Sequence, residues 1–204
     1  MAKVLARHLF LTSILSASLV SCSASAPPSL PPEYANNPPK IQSGFYAQNT
    51  ETVTIDLPRD DFLRWKSTTE LSEVLTPTAG MPAVERTTLL EGDRWGKPDA
   101  LRRIELSDGH YAVETILSNT PDKLSYQVWG FTSQAGKFAS YATGEFTYVE
   151  QGDTTIVTWT YKFKPNSLLA RIPLSLFVRN DFQPFMENGL SNMKQQSEAV
   201  ELAF

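Results

Sequence analysis

TTIVTWTYKF, residues Thr154–Phe163, is the segment that decides the fold class. Apolar side chains occupy every second position and polar side chains lie between them, which is typical of a strand with one buried face. Beyond this segment the apolar residues recur every three or four positions, which is a helical period. They are Phe182, Phe185, Met186, Gly189, Leu190 and Met193. The carboxyl-terminal part therefore predicts a strand followed by an amphipathic helix, with Pro184 in the first helical turn.

Five further segments upstream have the composition of strands. They are Val84–Glu91, Leu101–Leu106, His110–Leu117, Leu124–Phe131 and Phe138–Val149. Turn residues separate them at short intervals, which is typical of antiparallel hairpins. Before them, Thr52–Leu57 alternates like a strand, Pro58 suits a first helical position, and Thr69–Leu75 predicts a second short helix. One strand, two short helices, six strands and a closing helix indicate an α+β domain.

The central hairpins carry a recognisable pattern in LRRIELSDG (Leu101–Gly109), YAVETIL (Tyr111–Leu117) and LSYQV (Leu124–Val128), continued by Gly144-Glu145-Phe146. This pattern resembles the START/Bet v 1-like (SRPBCC) superfamily, and within it the polyketide cyclase/dehydrase and lipid transport branch. The resemblance implies a helix-grip fold. In that fold a curved antiparallel sheet of about seven strands wraps around a long C-terminal helix, with two short helices after the first strand. It also implies a large apolar cavity. Asp99 stands where relatives often have glycine.

Large side chains are predicted to face the concave side of this sheet. Two of them are methionines, which adapt to irregular ligands. The pattern alone favours a filled core over a cavity, whereas the fold resemblance favours a cavity. The predicted ligand-binding residues are Ile104, Leu106, Glu114, Ile116, Tyr126, Val128, Phe146, Trp159, Tyr161, Phe185, Met186, Leu190 and Met193.

Three polar residues are candidates for chemistry in this cavity: Arg102, Glu114 and Tyr126. With a three-residue turn at Ser107-Asp108-Gly109, Arg102 faces Glu114, whereas with a two-residue turn Arg103 faces it instead. In the first register a charged pair lies among apolar groups, where it would orient a ligand head group or act as acid and base. The alternative is a salt bridge on the surface. Tyr126 would donate a hydrogen bond from an apolar wall.

No metal or cofactor is predicted. His110 is the only histidine after residue 22 and follows the Asp108-Gly109 turn, so we expect it to face solvent. HExxH, CxxC and GxSxG motifs are missing from the sequence. One histidine without a spare thiol argues against zinc.

Pro173 and Pro184 bracket the apolar stretch Leu174–Phe182. This stretch is predicted to be either a flexible lid over the cavity or an irregular start to the closing helix.

The amino end has the charge and apolar pattern of an export signal. Lys3 and Arg7 make its start positive, and an apolar run covers Leu9–Val20. The run is shorter than the ~20 residues that span a bilayer, so the pattern indicates a cleaved signal over residues 1–21. Its ending, Leu19-Val20-Ser21-Cys22, resembles the lipobox of bacterial lipoproteins, which implies acylation of Cys22. The alternative is an ordinary secreted protein with an unpaired cysteine.

Residues 22–49 are predicted to be the lipidated cysteine and an extended or disordered tether, and residues 50–204 the ligand-binding domain. Residues 23–49 hold six of the 14 prolines, and such segments do not bury a core. Two of the 18 basic residues and none of the 22 acidic ones precede Cys22. The mature chain would be acidic, which argues against a nucleic-acid partner.

Three functions fit these features. The favoured one is an envelope protein that binds a hydrophobic small molecule or lipid, anchored through acylated Cys22. Ser23 after that cysteine resembles a signal for sorting to the outer membrane, facing the periplasm. The second is a cyclase/dehydrase-type enzyme that uses Glu114 for proton transfer, and we favour non-catalytic binding over it. The third is a module with an empty pocket that binds another envelope protein, whose identity the sequence does not indicate.

Overall fold

A seven-stranded antiparallel sheet forms the frame of the protein. The computed structural model describes residues 25–34 and 37–201, so Cys22, Ser23 and the predicted signal lie outside this part. The strands are β1 (Ala47–Ile55), β2 (Val84–Glu91), β3 (Leu101–Leu106), β4 (Tyr111–Thr120), β5 (Lys123–Trp129), β6 (Ala139–Gln151) and β7 (Thr154–Pro165). They are ordered β1-β7-β6-β5-β4-β3-β2. The sheet is curved around the C-terminal helix, which confirms the helix-grip fold.

The helices close the concave side of the sheet. They are α1 (Arg59–Thr68), α2 (Leu71–Val74), α3 (Arg171–Phe177) and α4 (Gln183–Glu201). Polar contacts hold α4 in place: Asn192 Nδ2 donates to the Val74 carbonyl at 2.9 Å, and Lys194 Nζ donates to the Thr54 carbonyl at 2.8 Å. Within the described residues, no helix is both long and apolar enough to cross a membrane.

The closing helix begins earlier than the apolar period indicated. It starts at Arg171 and continues into α4 through a π-helical turn, Val178–Phe182. Pro184 is the second residue of α4 and so lies in its first turn, as predicted, although α4 is continuous with the helical residues before it. Proline clashes with the carbonyl four residues earlier in an α-helix. The wider turn, in which the Gln183 amide donates to Val178 five residues back, accommodates it. The apolar stretch Leu174–Phe182 is thus an irregular part of the closing helix, which is one of the two structures that the sequence predicted for it.

The β3–β4 hairpin has the first of the two predicted registers. Arg102 pairs with Glu114, and the Gly109 amide donates to the Leu106 carbonyl at 2.9 Å across the turn.

Asp99, just before β3, has a φ of +64°. This left-handed conformation is the one that glycine adopts most easily, which fits the expectation of glycine there in relatives.

The Pro-rich segment lies against the outer face of the sheet. Gln127 Nε2 donates to the Pro39 carbonyl at 2.7 Å, and the Gln42 amide donates to Tyr141 Oη at 2.8 Å. Tyr34 and Tyr46 cover an apolar cluster of Leu101, Val113, Trp129 and Tyr141 on that face. The described part of this segment is thus not a free tether, because the sheet has apolar groups on its outer face that the segment covers. The first strand likewise begins at Ala47, before the predicted boundary.

Candidate functional site

An internal cavity of about 340 Å³ lies between the concave sheet and the helices. Most of the predicted ligand-binding residues line it: Ile104, Leu106, Glu114, Tyr126, Val128, Phe146, Trp159, Tyr161, Phe185 and Met193. Arg102 also lines it. The wall is largely aromatic, and the rings of Phe146 and Trp159 stack with centroids 5.0 Å apart.

Three predicted residues are buried but do not border the cavity: Ile116, Met186 and Leu190. The Ile116 amide donates to the Ala100 carbonyl, beside the loop that precedes β3. Met186 Sδ lies 3.7 Å from Asn49 Nδ2 on β1. Leu190 is one helical turn beyond Met186 and so shares its face of α4. These side chains fill the core at the edges of the cavity.

The Arg102–Glu114 ion pair is part of the cavity wall. Arg102 Nε and Nη2 each lie 2.6 Å from Glu114 Oε2, and the two residues are only 8% and 4% exposed. The guanidinium also stacks on the Trp95 ring, with its carbon 3.7 Å from the ring centroid. Each partner neutralises the other where neither charge would be stable alone.

Two tyrosine hydroxyls stand in the same wall. Trp159 Nε1 donates to Tyr126 Oη at 2.8 Å, so the Tyr126 proton remains available for a ligand. Burial raises the pKa of both Tyr126 and Tyr161 well above the usual range, and the charge of Glu114 raises both further. At neutral pH these phenols are therefore hydrogen-bond donors rather than bases.

Glycine at position 144 makes room for the Tyr126 ring. The two residues are paired across β5 and β6. A Cβ at position 144 would lie 2.0 Å from the Tyr126 ring carbon that bears the hydroxyl. This close approach holds the Tyr126 hydroxyl against Trp159.

Lys66 is a cavity residue that the sequence analysis missed. It lies on α1, lines the cavity, and has its Nζ 5.7 Å from the centroid of the Tyr148 ring. Burial and, to a smaller extent, the nearby charge of Arg102 lower the pKa of Lys66 to about 8, while Glu114 opposes the shift. The signal was present in the sequence, since Lys66 is four residues after buried Phe62 and so shares its helix face.

His110 is buried, so the prediction that it faces solvent was wrong. Its Nε2 donates to the Ser25 carbonyl at 3.1 Å, and its Nδ1 lies within hydrogen-bond distance of Thr132 Oγ1, at 3.0 Å. The N-terminal segment and the loop after β5 cover it, which a turn motif does not reveal.

In the part of the chain that the structure describes, no three His, Cys, Asp or Glu residues are grouped to hold a metal ion.

The cavity opens at the end of the sheet where β2, β4 and β6 begin. Exposed Gly80, Asp108 and Gln134 border it there. Ser25 also lines it at this end, and Pro27 lies against Gly109. The N-terminal segment therefore reaches the opening.

Comparison with solved structures shows the same fold in proteins of low sequence identity. Ara h 8.0201 aligns with a TM-score of 0.58 at 15% identity, over 74% of this chain and 97% of that one. An aromatase/cyclase, ZhuI, from a Streptomyces species has a TM-score of 0.59 at 13% identity, covering 76% and 94%. A START superfamily protein from Mycobacterium smegmatis has a TM-score of 0.56 at 11% identity, covering 76% and 99%.

Sequence comparison places the chain in a family. No curated protein shows significant sequence similarity to it. The family model described as "Polyketide cyclase / dehydrase and lipid transport" matches residues 47–198, which is most of the chain. The chain therefore belongs to the polyketide cyclase/dehydrase and lipid transport family, and it has the helix-grip fold of Bet v 1-like proteins.

Proposed function

We propose that the protein binds a hydrophobic small molecule or lipid in its internal cavity. The observation that carries this proposal is the cavity of about 340 Å³, whose walls are mainly aromatic and aliphatic with a minority of polar groups. Such a cavity is the usual form of a small-molecule site. Burying ~300 Å² of apolar ligand surface would contribute about 7 kcal/mol before the costs of association. The family, whose description includes lipid transport, supports the same function.

Native mass spectrometry of the purified protein tests this proposal. We expect an apolar ligand to co-purify, because an empty apolar cavity of this size gains free energy when it is filled. A protein that stays ligand-free after incubation with a panel of lipids and apolar metabolites would contradict the proposal. A co-purifying protein in place of a ligand would favour the interaction module.

A cyclase/dehydrase-type enzyme is the second candidate. It is favoured by Glu114, a carboxylate in the cavity wall at hydrogen-bond distance from Arg102, since a positioned carboxylate is a suitable proton-transfer group. The solved aromatase/cyclase with the same fold is consistent with this chemistry. A ligand that the protein returns chemically altered, but that Glu114→Gln returns unchanged, would favour the enzyme.

We further propose that acylated Cys22 anchors the protein to the membrane, with outer-membrane sorting and a periplasmic location. The charge and apolar pattern of residues 1–22 supports this proposal. Ser25, three residues after Cys22, lies at the cavity opening. Leu168 and Leu169, which follow β7 at the same end of the sheet, are 72% and 89% exposed. An anchor there would bring the opening close to the bilayer, where a lipid ligand is found.

Intact-mass measurement of the membrane-bound protein tests the anchor. We expect a chain that starts at Cys22 and carries added acyl mass, because the lipobox-like ending directs both cleavage and acylation. Cys22→Ser is expected to abolish the added mass and release the protein from the membrane fraction. A mature chain of unmodified mass in the wild type would contradict the anchor but leave the cavity proposal standing.

A further inference from the structure

We propose that the ligand is an amphiphile with an anionic head group, a carboxylate or a phosphate, and that Lys66 binds this head group inside the cavity. The inference rests on the proposed function and names the class of ligand. It is based on the charges in the cavity wall and their partners.

Lys66 is a cation without an anionic partner in the described residues. No carboxylate among them forms an ion pair with it, in contrast to Arg102 in the same wall, which is paired with Glu114. Its Nζ instead lies 5.7 Å from the centroid of the Tyr148 ring. A partly desolvated ammonium group without a counter-ion carries an energetic cost that an anionic ligand would remove.

The charges along the cavity leave an excess of one positive charge in its interior. Arg102 and Glu114 neutralise each other, and Lys66 adds a second cation to the wall of the same cavity. Glu70 and Asp108 also border the cavity, but both are exposed at its solvent side, where water screens their charge. The interior is therefore complementary to one anionic group.

Arg102 is less suited than Lys66 to bind the head group. Its guanidinium is already occupied by Glu114 on one edge and by the face of Trp95. The ammonium of Lys66 keeps donors available, and hydrogen bonds between charged groups are about twice as strong as neutral ones. The apolar tail of the ligand would then contact the rest of the cavity wall, which includes Val128, Phe163 and Phe177.

The test compares three ligands of equal chain length: dodecanoate, dodecyl phosphate and dodecanol. Binding to the full chain is followed by intrinsic fluorescence, since Trp65, Trp95 and Trp159 all line the cavity. We expect at least one anion to bind about tenfold more tightly than dodecanol, which is the effect of one hydrogen bond between charged groups. Whichever anion binds more tightly identifies the head group.

Three variants make the assignment specific to this lysine. Lys66→Met is expected to remove the preference for the anion without weakening dodecanol binding, and Lys66→Arg to retain the preference. Lys162→Met, which changes an exposed lysine on β7, is the matched control and is expected to behave like the wild type. An anion preference that survives in Lys66→Met, or equal affinity for all three ligands in the wild type, overturns the inference. Failure to bind any of the three contradicts the proposed function instead.

Discussion

Glu114→Ala is expected to lower the free energy of unfolding by about 3–5 kcal/mol, because it leaves the buried Arg102 guanidinium without its carboxylate. Arg102 is 8% exposed, and its guanidinium forms a hydrogen bond and an ion pair with Glu114. Arg102→Ala should have a comparable effect, since it leaves the carboxylate unpaired. Arg102→Ala is also expected to lose ligand retention, because the unpaired Glu114 carboxylate would repel an anionic head group. Urea unfolding at neutral pH measures the change in stability.

The double variant Arg102→Met/Glu114→Leu separates the cost of an unpaired charge from the value of the pair. Replacing a whole buried ion pair by apolar side chains is often neutral or stabilising, so we expect stability within about 1 kcal/mol of the wild type. We expect this variant to retain ligand, because Lys66 remains to bind the head group. A loss below about 1 kcal/mol in Glu114→Ala would show that water reaches the pair and screens it.

Ala112→Phe is expected to abolish ligand retention while the protein stays folded. Ala112 lies on β4 and lines the cavity. A phenyl ring added there would occupy part of the cavity volume of about 340 Å³ and so exclude the ligand from it. The added ring has empty apolar volume to enter and should not strain the core. Native mass spectrometry measures ligand retention, and thermal unfolding measures stability.

Ala142→Phe is the matched control for this change. Ala142 is also a buried alanine in the sheet, with no exposed surface, but it does not border the cavity. Enlarging a side chain in a closely packed core costs about 1–3 kcal/mol, so this variant should be destabilised where Ala112→Phe is not. Equal destabilisation of the two variants would show that the interior at Ala112 is packed and that the cavity does not exist in solution.

Local periodicity predicted the secondary structure because each strand or helix must present one apolar face. Two of the predicted strands, Val84–Glu91 and Leu101–Leu106, have the observed limits. The helix containing Pro184 was less accessible to this reasoning. Its start at Arg171 depends on a π-helical turn, and the pattern of apolar residues does not encode such a turn.

The candidate site was only partly predictable. Once a turn length is assumed, the alternation of side chains places the even-numbered residues of β3 and β4 on one face of the sheet. The sequence allowed two turn lengths, and the observed one pairs Arg102 with Glu114. Lys66 was missed because a lysine on an apolar helix face is normally expected to extend to solvent. Here the concave sheet lies over that face.

Hydrophobic periodicity was enough to predict the order of the elements and the face of each that avoids water, because the two periods are local properties of the chain. The helix-grip architecture and the cavity were expected only from the resemblance of the central hairpins to a known family. What covers each apolar face became clear only from the folded chain. It placed the Pro-rich segment on the outside of the sheet and buried His110 beneath Ser25. It also left a void beside Ile104 and Val128 while filling the space around Ile116 and Met186. The physical reason is that periodicity specifies which side of an element avoids water, whereas the group that excludes the water comes from a distant part of the chain.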